Sequence, residues 1–156
     1  PMPALTHAGM ALAVREAQGQ LQAGRPWAAW KLLRGYVKDP AEAPDAVVLT
    51  AARAAAGWDG WSQVRRLLEG RDWLAERSRG EGLFLLARAN EARQQWGAAA
   101  EGYRRYLADD RAEHRAEAVA RLARALARGK DARGAAEAYA RAARAGGDGA
   151  DWMYAL

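Results

Sequence analysis

The chain has 156 residues, 51% of them hydrophobic, and a formal net charge of +5, enough for one ordinary domain or a short helical array. It contains no cysteine, which excludes disulfides, thiol catalysis and cysteine-ligated metals. No stretch reaches the ~18 apolar residues that a membrane-spanning helix needs, and the cations, all arginine except Lys31, Lys38 and Lys130, are interspersed with 19 acidic residues rather than gathered as a nucleic-acid footprint would be.

The apolar inventory is dominated by alanine, leucine and tryptophan, with few β-branched residues and a single Phe. Ala, Leu, Arg and Glu lose little side-chain freedom in a helix, so the composition predicts an all-α fold. From the N-terminus, Val14, Ala17 and Leu21 mark a first helix. Gly24-Arg25-Pro26 starts a second, proline being tolerated in a first turn. For that second helix a register built on Ala29 and Leu33 fits better than one built on Trp30 and Arg34. Asp39-Pro40 and Ala43-Pro44-Asp45 bracket a loop. A third helix carries Val48, Ala51, Ala52 and Ala55, and Gly57-Trp58-Asp59-Gly60 turns into a fourth with Trp61, Val64, Leu67 and Leu68. Ser78-Arg79-Gly80 precedes a fifth with Leu83, Leu86, Ala87 and Asn90, followed by a sixth with Trp96, Ala99, Tyr103, Tyr106 and Leu107. Asp109-Asp110 leads to a seventh with Val119, Leu122, Ala123 and Leu126. Gly129-Lys130-Asp131 turns into an eighth with Ala132, Ala135, Tyr139, Ala142 and Ala143, which Gly146-Gly147-Asp148-Gly149 ends. Trp152–Leu156 reads as the first turn of another helix. In each segment the i, i+3, i+4, i+7 spacing gathers the apolar residues on one stripe.

Trp27, Trp61 and Trp96 stand 34 and then 35 residues apart, and Ala132 follows 36 later. With the flanking small and bulky positions, this recurrence resembles the tetratricopeptide repeat family, whose unit is a helix-turn-helix of about 34 residues. The resemblance implies a right-handed α-solenoid of about four repeats, eight helices plus a partial fifth repeat. They fall at approximately residues 8–40, 44–76, 80–110 and 114–146, with 150–156 starting another, in one repeat domain. It further implies that Ala87, Ala99, Ala123 and Ala135 stand where paired helices approach closely, and that Trp27, Trp61 and Trp96 occupy a recurring core position. Trp58, Trp73 and Trp152 lie outside the pattern and are candidates for exposed ligand stacking, with Trp30 undecided. A solenoid end normally carries a polar cap; an array ending on Trp152–Leu156 is expected to be a piece of a longer protein, or to associate with its own copies there.

The chain offers little for catalysis. His7 and His114 are the only histidines, and neither has a second ligand at zinc-site spacing. Ser62 and Ser78, the only serines, have no neighbouring base. Gly129-Lys130-Asp131 lacks the preceding strand and glycine of a phosphate loop. The sequence therefore predicts no catalytic residues, cofactor or metal in this chain, and a protein- or peptide-binding scaffold instead. In the tetratricopeptide pattern the residue after the small core position faces the concave groove, and here it is Arg53, Arg88 and Arg124. A guanidinium fork binds carboxylates bidentately, so these arginines are the expected contacts for an acidic partner segment. Leu67-Leu68-Glu69-Gly70-Arg71-Asp72-Trp73-Leu74 and the run at 80–89 are similar to the helical region of bacterial soluble lytic transglycosylases. That second resemblance implies a periplasmic, non-catalytic accessory domain that helps hold peptidoglycan strands; otherwise a cytoplasmic scaffold is expected.

Overall fold

The computed structural model describes residues 7–144. Among them are eight α-helices and no strand: α1 (His7–Gln22), α2 (Pro26–Leu33), α3 (Asp45–Gly57), α4 (Trp61–Leu68), α5 (Glu81–Ala92), α6 (Trp96–Leu107), α7 (Arg115–Arg128) and α8 (Ala132–Arg144). The all-α reading holds, with α2, α3, α4, α5, α7 and α8 each beginning at or near its expected breaker. No described helix is long and apolar enough to cross a membrane. The expected further helix at Trp152–Leu156 lies outside the described residues. The chain divides into two compact units, Pro1–Trp73 and Leu74–Leu156.

In the first unit α2 packs on α1 and α3, α1 also touches α3, and α3 packs on α4. Most of the stripe read from the sequence is core: Ala17, Ala29, Leu33, Val48, Ala51, Ala52, Ala55, Val64, Leu67 and Leu68 are buried, whereas Val14 and Leu21 are half-buried. Of the two registers for α2, the one using Ala29 and Leu33 is observed. Thr50, buried in mid-helix, donates its hydroxyl to Ala46 O at 2.7 Å, so its polar atom is satisfied where water cannot reach.

In the second unit α5 packs on α6, α6 on α7 and α7 on α8. Leu83, Ala87, Ala99, Tyr103, Tyr106, Leu107, Val119, Leu122, Ala123, Leu126, Ala135 and Ala142 are buried, whereas Ala143 is exposed. The close approach expected at Ala87 is real, and Gly102 makes it so. A Cβ added to Gly102 would lie 2.9 Å from the Ala87 Cβ, well inside van der Waals contact, so α5 and α6 can be this near only without a side chain there.

The turn inside every helix pair is the same structure. Gly24, Asp59, Gln94 and Lys130 adopt left-handed backbone, φ 72°, 61°, 60° and 66°. The amides of Arg25, Gly60, Gln95 and Asp131 each donate to the carbonyl five residues back, Gln20, Ala55, Asn90 and Leu126, at 2.8 Å. Those of Gly24, Asp59, Gln94 and Lys130 donate to the carbonyl three back, at 2.9–3.2 Å. This is the Schellman arrangement, which satisfies carbonyls that a helix end leaves orphaned. Only the first of the four uses glycine. An L-residue in this conformation costs about 1–2 kcal/mol, so Gln94→Gly is expected to stabilise the protein by about 1 kcal/mol after the glycine's greater unfolded-state entropy is counted. A thermal melt should show a rise of about 3 °C; an unchanged or lower midpoint would contradict the strain argument.

The tryptophans correct the sequence reading. Trp27 is 48% exposed, and Trp61 and Trp96 are half-buried rather than core. Each stands in the first turn of its helix, just after the inter-helix turn. For Trp96 the guanidinium of Arg128, at the end of α7, lies 6.0 Å from the ring centroid. Trp30, undecided from the sequence, is core at 6% exposure. Trp58 and Trp73 are half-buried. Trp58 lies edge-on to Trp27 at 5.1 Å and tilted to Trp30 at 6.0 Å, over Gly60, where any Cβ would collide with its ring.

Candidate functional site

The most concentrated chemistry among the described residues is a buried polar cluster in the second unit. Glu91, on the last turn of α5, is only 4% exposed. It lies eight residues after Leu83 and four after Ala87, hence on the apolar stripe of its own helix. On α6, the Tyr103 hydroxyl donates to Glu91 Oε1 at 2.7 Å. On α7, Arg121 Nη1 and Arg124 Nη2 donate to Glu91 Oε2 at 3.1 and 2.6 Å. Arg121 and Arg124 share one face because three residues on a helix make neighbours. One turn earlier, Glu117 Oε1 accepts from Arg121 Nε at 2.8 Å. Three helices are thus tied to one carboxylate.

The electrostatics follow from the burial. Desolvation, then the Glu91 charge and the hydrogen bond to it, push the Tyr103 hydroxyl far above the ordinary tyrosine range, against smaller opposing effects of Arg121 and Arg88. For Arg121 burial works against the charge, but the Glu117 hydrogen bond and the negative groups around it outweigh that and raise its pKa. Both shifts favour the protonated forms, a neutral hydroxyl and a charged guanidinium beside Glu91. A consequence at alkaline pH carries a definite sign. Unfolded Tyr103 would lose its proton near pH ~10 while the folded hydroxyl keeps it, so the unfolded state binds fewer protons and stability falls as pH rises above that point, by up to about 1.4 kcal/mol per pH unit. Denaturant unfolding between pH 9 and 11 should show this decline, and Tyr103→Phe should flatten it; an equal slope in the variant would sink the assignment.

The sequence-predicted arginines are placed as follows. Arg53, on α3, belongs to the first unit, whereas Arg88, on α5, and Arg124, on α7, belong to the second. All three are half-buried and each has interactions within the chain. Arg124 is a member of the Glu91 cluster, with 29% of its side chain exposed, and the Arg88 charge reaches the cluster closely enough to oppose the Tyr103 shift. Glu91, Tyr103 and Arg121 as a group were not legible as partners from spacing. The one available signal was an acidic residue on an apolar stripe, where the equivalent position 36 residues later is Ala127.

His114 is exposed, as expected for a solvated residue, but its ring stacks on Phe84 at 5.1 Å. No group of acidic or histidine residues able to hold a metal occurs among the described residues. A shallow depression of about 640 Å³ is lined by Ala75, Arg105, Ala108, Asp109, Asp110 and Arg111. Its Asp109 carboxylate accepts from the Arg111 backbone N–H at 2.9 Å and from its Nε at 3.4 Å, and these bonds hold its pKa below the usual carboxylate value. Of the leucines in the two segments behind the second resemblance, Leu67, Leu68, Leu74, Leu83 and Leu85 are buried and Leu86 is half-buried. No known protein family, curated protein or solved structure matches the chain.

Proposed function

We propose that the chain is a tetratricopeptide-like helical-repeat module that holds an acidic peptide or partner protein. The observation that carries this reading is the turn repeated in all four helix pairs, with the same left-handed residue and the same two hydrogen bonds. Its left-handed residues lie 35, 35 and 36 residues apart. A chain that reuses one connection at a fixed interval is built from one supersecondary unit, and stacked units of that kind serve as binding surfaces. The half-buried arginines that follow Ala52, Ala87 and Ala123, namely Arg53 in the first unit and Arg88 and Arg124 in the second, are the proposed contacts. Arg124 is oriented by Glu91, so its fork is presented in a fixed pose rather than as a mobile side chain.

The test is a titration of the intact protein against a panel of dye-labelled acidic decapeptides, read by fluorescence anisotropy. Arg53→Glu plus Arg88→Glu should weaken the best binder by about tenfold or more, that is by at least 1.4 kcal/mol. Arg124 is left in place because a second carboxylate beside Glu91 would disturb the fold. No saturable binding below ~1 mM, or binding indifferent to the double reversal, would overturn the reading.

A further inference from the structure

The acidic residues that interleave with most of the cations are missing from the longest such stretch, at Ala17–Lys38. From Ala17 to Lys38 there are four cations, Arg25, Lys31, Arg34 and Lys38, and no Asp or Glu. That stretch contains α2, whose inner face is Ala29, Trp30 and Leu33. Its outer face presents Trp27, Lys31 and Arg34, all exposed, at i, i+4 and i+7. Arg34 continues the helical path with φ −54° and ψ −34°, so the three side chains line one stripe. Neither the Lys31 nor the Arg34 side chain takes part in an ion pair or hydrogen bond among the described residues, although four ion pairs hold other exposed or half-exposed arginines. Trp27 is not a loose surface residue either. Its ring is set edge-on against Trp58, which in turn leans on the buried Trp30. A flat apolar side chain is therefore held in place, half in water, beside two cations without counter-charges.

We propose that the Trp27–Lys31–Arg34 stripe is a docking surface for an acidic helix of a partner protein. An apolar residue of that helix covers the Trp27 ring, and two of its carboxylates reach Lys31 and Arg34. Spacing selects a helix. The three positions lie at 0, about 6 and about 10.5 Å along the α2 axis at 1.5 Å per residue, and an antiparallel helix repeats the same intervals with Glu-x-x-Glu-x-x-x-Leu. Tryptophan and arginine are the residue types that most often dominate binding energy at interfaces, and a ring already immobilised loses little entropy on contact. A lipid surface is disfavoured because its affinity scales with buried apolar area, and the stripe has one apolar side chain. Single-stranded nucleic acid is disfavoured because it draws on successive stacking platforms, and the stripe has one ring. The stripe shares no residue with the proposed contacts Arg53, Arg88 and Arg124; the inference rests on the module reading only in taking the partner to be a protein.

The experiment uses the intact protein and a labelled synthetic helix carrying Glu-Ala-Gln-Glu-Ala-Gln-Ala-Leu in an alanine–glutamine host. The expected result is saturable anisotropy change, weakened about tenfold or more by Lys31→Glu plus Arg34→Glu and by Trp27→Ala. A peptide with lysines in place of both glutamates should bind the doubly reversed protein and not the parent. Circular dichroism confirms that each variant is folded, and the charge-swap rescue separates recognition from misfolding. Arg53→Glu plus Arg88→Glu should leave this peptide's affinity unchanged, so failure of the groove and failure of this stripe are read separately. The proposal is overturned by absence of saturation, by no effect of the reversal, or by no rescue. It is equally overturned if the Trp27, Lys31 and Arg34 variants lose binding to phosphatidylserine vesicles or to oligothymidylate while the acidic helix does not bind.

Discussion

Glu91→Ala is expected to destabilise the second unit by about 3–5 kcal/mol, the usual cost of removing one partner from a buried charged network. The loss would come from three directions. The Tyr103 hydroxyl, which is fully buried, loses its acceptor and has no route to water. Arg121, 12% exposed at its side chain, keeps only Glu117, while Arg124 loses the carboxylate at 2.6 Å. The helices α5, α6 and α7 also lose the one group that all three share. Glu91→Gln separates charge from shape, because the amide oxygen can still accept while the negative charge is gone, and it should cost less. Urea unfolding followed by circular dichroism measures both. A loss below ~1 kcal/mol for the alanine variant, the ordinary range for a surface change, would show that the cluster is decoration rather than a tie.

Tyr106→Ala should cost a similar amount, about 3–5 kcal/mol for truncation of a buried aromatic. Tyr106 is 2% exposed, its ring tilts against Phe84 at 5.1 Å, and its hydroxyl accepts the His114 backbone N–H at 2.8 Å, immediately ahead of α7. One side chain of α6 thereby fills the core and fixes where the next helix begins. From the other side Arg115 Nη1 donates to Leu107 O and Asp109 O, closing the end of α6 at 2.9 and 2.7 Å. Tyr106→Phe keeps the ring and removes only the hydroxyl, at about 1 kcal/mol for one neutral hydrogen bond. If the two variants proved equally costly, the ring packing would be carrying little and the account of this residue would be wrong.

Much of the fold was legible because it rests on periodicity. The stripe through Val48, Ala51, Ala52 and Ala55, and its counterparts through Leu83 and Val119, names core residues by spacing alone, and those positions are buried except Leu86 and Asn90, which are half-buried. The breakers at Gly24-Arg25-Pro26 and Gly57–Gly60 marked turns because proline and glycine restrict or free the backbone in ways that composition displays. The tryptophans misled because equal spacing does not by itself say inward. A residue in the first turn of a helix recurs as faithfully as a core residue, yet Trp27 is exposed and Trp61 and Trp96 are only half-buried there. The turn at Gln94 was invisible for a different reason, since glutamine carries no local signal for left-handed backbone and is held there by hydrogen bonds from its neighbours. The Glu91 cluster depends on residues 12, 30 and 33 positions apart, brought together only once α5, α6 and α7 have packed. Of the proposed arginines, spacing identified positions but not which of them the fold would enlist, and Arg124 is one it does.

The four matching turns also make the chain convenient to instrument. Asp59, Gln94 and Lys130 are exposed, already sit in left-handed backbone without being glycine, and use only main-chain atoms to hold the turn. Because the sequence has no cysteine, a thiol introduced at any one of them would be unique in the molecule and would exchange one strained L-residue for another. Spin labels or fluorophores attached in pairs at these positions would then read successive turn-to-turn distances in solution, and any change in those distances when a partner is added, without disturbing a single core contact.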